Sequence, residues 1–563
     1  MAARYWVGGT GTWDNVVTTN WAATSGGAGG ASAPTATDNV IFDANSGTGT
    51  VTVTVGSGAA CGGCVISGWA ANVTFSLAGN PTWSAGVYSF QGASQAQPLL
   101  IQSNALGATR TLTINGTHGT HQDVHFMDIT LAGTAGTLTG TRIGDALGNS
   151  GFTFTASATQ TFVGGTFNWS NPAAWTSRVP LPQDDVIVNT TIAGTLSTDM
   201  TRLGRNIDFT GYTRALADVS ASWSFGSVTF SATMTHTGNQ AWLLAGRGSH
   251  TITCAGVGFT TSITLSGVGG TFTLVDKLII ANPAANLNIN VPLTFNANNQ
   301  DVQVGAVLTN SGIVVAFQMG TGTWTLTRTG TNTIFSIGSQ TTVTGSPTIV
   351  IATTDATMKT FTGGGQSYGT LRYIAAGSGQ LTLINANTFQ NLDIECTTAR
   401  TFSLQATVTQ TVTGTLTLLG AAGQLLSLVS GTPGTAANIN ISPGGRLVSN
   451  QYVSLSADVH VYQLFAPAGA VGTATVAATL TRIRARTAST AGKATVAASL
   501  VRTRARTAST AGHATVTANV ARFRGLAVAS AGQTTVTIAV SLPVRVLEAT
   551  TRAAGLEAVV LAP

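Results

Sequence analysis

The sequence predicts an all-β protein: a parallel β-helix (β-solenoid) body in two blocks, followed by a C-terminal array of 20-residue β repeats. Three observations predict it. A Trp/Gly-rich opening motif occurs twice. Short Thr/Val/Leu runs, broken by Gly and Asn, recur every 8–12 residues or so with no helical periodicity between them. Near the C-terminus, Gly472, Gly492, Gly512 and Gly532 mark a strict tandem period.

The first copy of the motif is Tyr5-Trp6-Val7-Gly8-Gly9-Thr10-Gly11-Thr12-Trp13, with Asn20-Trp21 and Asp38-Asn39-Val40-Ile41-Phe42 behind it. It returns as Phe162–Trp169, Ala174-Trp175 and Asp184–Val188. The two copies are expected to open two stacked blocks, 1–155 and 156–468. After the first come Val51–Val55, Cys64–Ile66, Asn72–Phe75, Leu99–Ile101, Thr111–Ile114 and Val124–Ile129, each alternating apolar and hydroxyl residues or briefly all apolar. Gly144–Gly151 closes that block. The second block reads most clearly in Gly369–Ile374, Gln380–Leu383, Phe389–Ile394, Thr401–Leu404, Thr411–Leu418, Leu425–Leu428 and Ala437–Ile441. With no helices to cross over between parallel strands, directly stacked coils are the solution, with Ile and Val inside, Thr outside and Gly or Asn at corners.

The Trp/Gly motif, with Pro34 ahead of Asp38, and rungs such as Thr413-Gly414-Thr415-Leu416-Thr417-Leu418 resemble right-handed parallel β-helix proteins over residues 4–465. Such textures belong to tail-fibre, tailspike and related appendage proteins of bacteriophages, and to bacterial adhesins and autotransporter passengers. The resemblance implies an elongated, often trimeric surface structure that contacts other virion proteins and a cell-surface polysaccharide or lipopolysaccharide. It carries over no catalytic residue.

Composition narrows the class. Charged residues are 8% of the chain, against roughly 25% in ordinary soluble domains. Hydroxyl and amide side chains must therefore supply the polar surface. No apolar run reaches the ~20 residues of a membrane-spanning helix. The amino terminus enters the first Trp/Gly motif without the basic and apolar stretches of a secretory leader. That fits a virion protein released by lysis, with a bacterial cell-surface location as the alternative.

The charge is unevenly placed. Residues 1–469 hold 14 Lys and Arg against 17 Asp and Glu, a net of −3; residues 470–563 hold 11 against 2, a net of +9. The tandem repeats span 469–545, with 546–563 as a tail. Each unit reads as two extended stretches around a small-residue turn. Arg482, Arg484 and Arg486, with Arg502, Arg504 and Arg506, and Arg522 and Arg524, recur in register and would line one strand face. Such a face suits a polyanion, or else simply keeps a β array solvated and blunts its edges. Phe523 is the sole aromatic after Phe465, which argues against nucleic-acid stacking.

The remaining candidates favour structural explanations. His118, His121 and His125 invite a metal reading, yet His118 and His121 fall in a Gly-rich loop and His125 in a strand, so convergence does not follow. Cys61-Gly-Gly-Cys64 has no second pair to complete a thiolate site. Asp184-Asp185 would point to opposite sheet faces, a poor acid–base dyad, and Glu395, Glu548 and Glu557 are the only glutamates. Asp38 and Asp184 occupy matching positions in the two motif copies, which suggests bonds to backbone amides. Trp6, Trp13, Trp21, Trp169 and Trp175 are expected to cap open solenoid ends. No cofactor or metal is expected. The reading is a non-enzymatic, homo-oligomeric virion-appendage component contacting an anionic glycan, with a bacterial adhesin and a polysaccharide depolymerase as alternatives.

Overall fold

A computed structural model describes residues 2–189, 192–374 and 379–463 with their side chains, and beyond them the backbone of ten strands between Ala474 and Leu561. The chain is all-β, about 1% helical, and its parallel stacked sheets form a β-solenoid of about 18 turns. The chain divides into two compact units, Met1–Asn296 and Ala297–Pro563.

The first unit holds both copies of the Trp/Gly motif. In block 1, one face stacks Ala3–Trp6, Asn39–Phe42, Gly63–Ile66 and Val87–Gln91. A second stacks Gly11–Trp13, Thr50–Val55, Asn72–Leu77 and Leu99–Ser103. Alternation sets what goes inside. Val51, Val53 and Val55 are buried and stand over Val73, Phe75 and Leu77, while the intervening threonines stay partly exposed. Each such buried aliphatic contributes about 1.5–3 kcal/mol.

Both faces converge on one long strand, Thr117–Met127, whose first half pairs with Val87–Gln91 and second half with Leu99–Ser103. It turns the corner through Asp123, at φ 54°, whose carboxylate is held by Arg142. The sequence expectation of one strand over Val124–Ile129 is corrected here. Asp128, at φ 58°, breaks it, and Ile129–Ala132 joins the third face beneath Arg110–Ile114.

Block 2 carries three parallel ladders, which within this unit repeat every 20–24 residues after a longer first coil; Leu196, Leu216 and His236, for example, stand in register. The first ladder begins at Thr159–Thr161, the second at Phe167–Asn168 and the third at Arg202–Gly204. Among the described residues, no strand of block 1 joins a ladder of block 2 within this unit. The expectation of stacked blocks is therefore corrected: the two lie side by side. Gln102 meets Arg202, Asp128 meets Arg247, and Met127 and Ala146 pack with Phe225 and Ala245.

Gln183 completes the join. Its Nε2 donates to the Ile143 and Thr155 carbonyls, at 3.1 and 2.8 Å, and its Oε1 accepts from the Asp145 amide at 2.9 Å. With Thr155, whose amide and hydroxyl bond the Ile143 carbonyl and amide, this one side-chain amide stands in for a neighbouring strand along the edge of Thr141–Asp145.

The second unit repeats the plan with inward columns. Trp324, Ile349, Leu371, Leu392 and Leu416 stack in one, and Leu326, Ile351, Tyr373, Ile394 and Leu418 in the next, all fully buried. Further along this unit the backbone forms three ladders rather than the two stretches expected per repeat. Ala474–Leu480, Ile483–Ala485 and Ala488–Thr490 are the strands of one repeat, and each aligns with its counterpart 20 residues on. Leu556–Leu561, in the expected tail, extends the first of these ladders.

Candidate functional site

The two Trp/Gly motifs form end plugs. Trp6, Trp13 and Trp21 are fully buried around Phe42, with Trp6 edge-on to Trp21 at 5.0 Å and Trp13 stacked on Trp83 at 5.2 Å. Trp6 and Trp21 are cross-strand partners in an antiparallel pair at the ladder's first edge. Phe162 and Trp175 form the same antiparallel bridge in the second copy, where Trp169 and Trp175 lie 4.7 Å apart.

The paired aspartates do one job twice. Asp38 accepts from the amides of Ala2 and Thr35, and Asp184 from those of Ala158 and Leu181. In each case one bond reaches the residue three before the aspartate and the other reaches the segment ahead of the motif's first strand. Burial works to raise the Asp38 carboxyl, but the bonds from Thr35 and Ala2 outweigh it and hold it below the usual range. Asp184 is fully buried and paired with Arg178, while Asp185 faces out to Arg205.

The histidines do not gather around a metal. His118 and His121 lie in the strand Thr117–Met127 rather than in a loop, because Thr117–Gln122 finds a partner in Val87–Gln91. The Phe90 amide donates to His121 Nδ1 at 3.2 Å, so His121 Nε2 carries the proton it shares with His118 Nδ1, also 3.2 Å away. His118 Nε2 then donates to the Gly136 carbonyl at 3.2 Å. All four ring nitrogens are engaged, leaving no lone pair for a cation. Burial, then the neighbouring His118, pushes His121 down to about 4. His125 lies elsewhere, buried against the second block.

Cys61 and Cys64 are both core residues, and burial pushes both thiols up, away from the thiolate that redox or metal chemistry needs. Another buried polar hub lies in block 2. There the Asp218 carboxylate accepts from Thr198 Oγ1 and Trp242 Nε1 and lies 2.7 Å from His236 Nε2.

A carboxylate pair that sequence reasoning missed sits on the outer face of Thr388–Glu395. Asp393 is clasped by Arg372 at 2.8 Å, and burial together with Asp393 pushes the Glu395 carboxyl up. The signal was the two-residue spacing, which puts both on one face of a strand.

The second unit also carries an open cleft of about 670 Å³ across successive coils, lined by Thr309, Asn310, Ser339, Thr362, Asn385 and Gln405 among others. None of its lining residues is charged. Amides hold its shape: Gly364 N donates to Asn385 Oδ1 at 3.0 Å, Asn385 N to Gln405 Oε1 at 2.7 Å, and Gln410 Nε2 to the Asn385 carbonyl at 2.6 Å. Gly364 and Gly365 both take positive φ, which opens the cleft floor where a side chain would be strained.

Of the arginine array, Arg484 and Arg504 stand in register on neighbouring strands, about 4.8 Å apart by strand spacing. Arg482, Arg486, Arg502, Arg506, Arg522 and Arg524 lie outside the described residues. No known protein family, curated protein or solved structure matches the chain.

Proposed function

We propose that the chain is a structural and adhesive component of a bacteriophage virion appendage, assembled as a homo-oligomer, whose solenoid contacts cell-surface glycan. The observation that carries this reading is the uncharged cleft of the second unit. Its hydroxyl and amide lining offers both donors and acceptors, as a polyhydroxylated ligand needs, and it runs across several coils, as an extended chain needs. The basic C-terminal stretch supports contact with phosphate or acid groups on the same surface.

Two measurements test it. Immunogold labelling locates the protein on virion appendages or on the bacterial surface, and the latter outcome supports an adhesin instead. Titration of host polysaccharide against the full chain and a Ser339→Trp variant, which fills the cleft from an exposed position, should show binding only in the former. Equal binding removes the cleft from the reading.

A depolymerase is favoured by one observation, the Asp393/Glu395 pair. Arg372 clasps Asp393 at 2.8 Å, while burial and the neighbouring Asp393 push the Glu395 carboxyl up; two carboxylates on one strand face, one of them raised, are the raw material of an acid–base pair. Release of reducing ends from host polysaccharide, lost in Glu395→Gln, would establish it.

A further inference from the structure

The join between the two blocks contains a buried cation with no counter-charge at hydrogen-bonding distance. Arg202 is 2% exposed, and its Nη2 donates to the neutral Gln102 Oε1 at 2.7 Å. Its Nη1 is buried and has no hydrogen-bond partner. An arginine stays charged in a protein, and an uncompensated guanidinium in the interior is strongly unfavourable.

A second orphan lies beside it. His125 is also 2% exposed, and its Nδ1 is buried without a partner. The backbone register explains the proximity. His125 sits opposite Leu100, and Gln102 lies two residues further along the same strand face. Two residues along and one strand across in a parallel pair is ~8 Å, which puts a guanidinium resting on Gln102 within reach of His125. Consistent with this, the Arg202 charge adds to burial in lowering the histidine, which keeps the ring neutral with a proton to donate.

The nearby carboxylates are committed elsewhere. Asp128 forks onto Arg247, and Asp145 accepts from the Leu147 amide and Asn149. Neither is within bonding distance of Arg202.

We propose that a small monovalent inorganic anion, of chloride size, occupies the join between the two blocks, held by Arg202 Nη1 and His125 Nδ1–H. It would satisfy two buried donors at once and neutralise the guanidinium. Binding requires both walls, one from each block, so the anion would stabilise only the docked arrangement. Chloride and its heavier analogue bromide fit this chemistry. Large organic anions do not, because the join is closed to solvent around both side chains.

The test uses the full chain. Crystals soaked in sodium bromide should give an anomalous peak within hydrogen-bonding distance of Arg202 Nη1 and His125 Nδ1. Thermal unfolding in sodium chloride should run roughly 2–4 °C above that in sodium gluconate of equal ionic strength. Arg202→Met should abolish that difference. A water in place of the peak, or a halide effect that persists unchanged in Arg202→Met, overturns the proposal. If Arg202→Met does not fold, the bromide map of the unmodified chain decides alone.

Discussion

Arg247 and Asp128 meet as a two-pronged ion pair, Nη1 to Oδ1 and Nη2 to Oδ2 both at 2.7 Å, across the join of two blocks that share no ladder. Asp128 is buried and also accepts from the Gly107 amide. Removing only the arginine would strand a buried carboxylate. Arg247→Met should destabilise the chain by about 3 kcal/mol, and Asp128→Asn in that background should recover part of the loss. Chemical denaturation of the two variants and their combination checks the coupling; strictly additive losses would contradict it.

Gln183 tests the same join through neutral bonds. Gln183→Glu replaces its donor group with a second acceptor; the Thr155 carbonyl loses its Gln183 donor and the Ile143 carbonyl keeps only the Thr155 amide. The expected cost is about 2 kcal/mol, with faster hydrogen exchange at the Asp145 amide. Exchange there that matches the unmodified chain would show that the clip does not protect the edge.

The His118–His121 relay predicts acid sensitivity. His121 falls to about 4 in the fold, against about 6.5 unfolded. Between those values the unfolded chain binds the extra proton, so stability rises with pH. The contribution, about 3 kcal/mol, is complete above pH ~6.5 and is lost as pH falls toward 4. Exchange at the Phe90 amide should accelerate over that window, and His121→Phe should flatten the dependence. A flat profile in the unmodified chain would refute it.

Cys61 and Cys64 should resist a thiol reagent in the native chain and react only as fast as block 1 opens, because both are buried and their thiols are pushed up. Prompt labelling under native conditions would reopen a redox role.

Much of the solenoid was legible because its signals are local. Thr50–Val55 alternates with period two, and its inward valines are the core. The columns Trp324–Ile349–Leu371 repeat at one coil's spacing, so partners share a period that the eye can follow. The duplicated aspartates were legible as a pair, though not the two amides each one holds. The Asp393/Glu395 pair was within reach of the same period-two argument, once Glu395 is placed in the strand rather than just after it.

By itself, the sequence determined the coil: the alternation that selects inward residues, the Trp/Gly motif that plugs each block, and the 20-residue register of Ala474–Leu480 with Ala494–Leu500. These depend on a residue and a partner one turn away. Only the tertiary structure decided which outer surfaces meet. Gln102 and Arg202 are 100 residues apart, and Asp128 and Arg247 are 119. Each occupies a position that local patterning marks as solvent-facing. No periodicity relates one solenoid's outside to another's, so complementarity of shape and charge, which exists only once both coils are formed, chose the join.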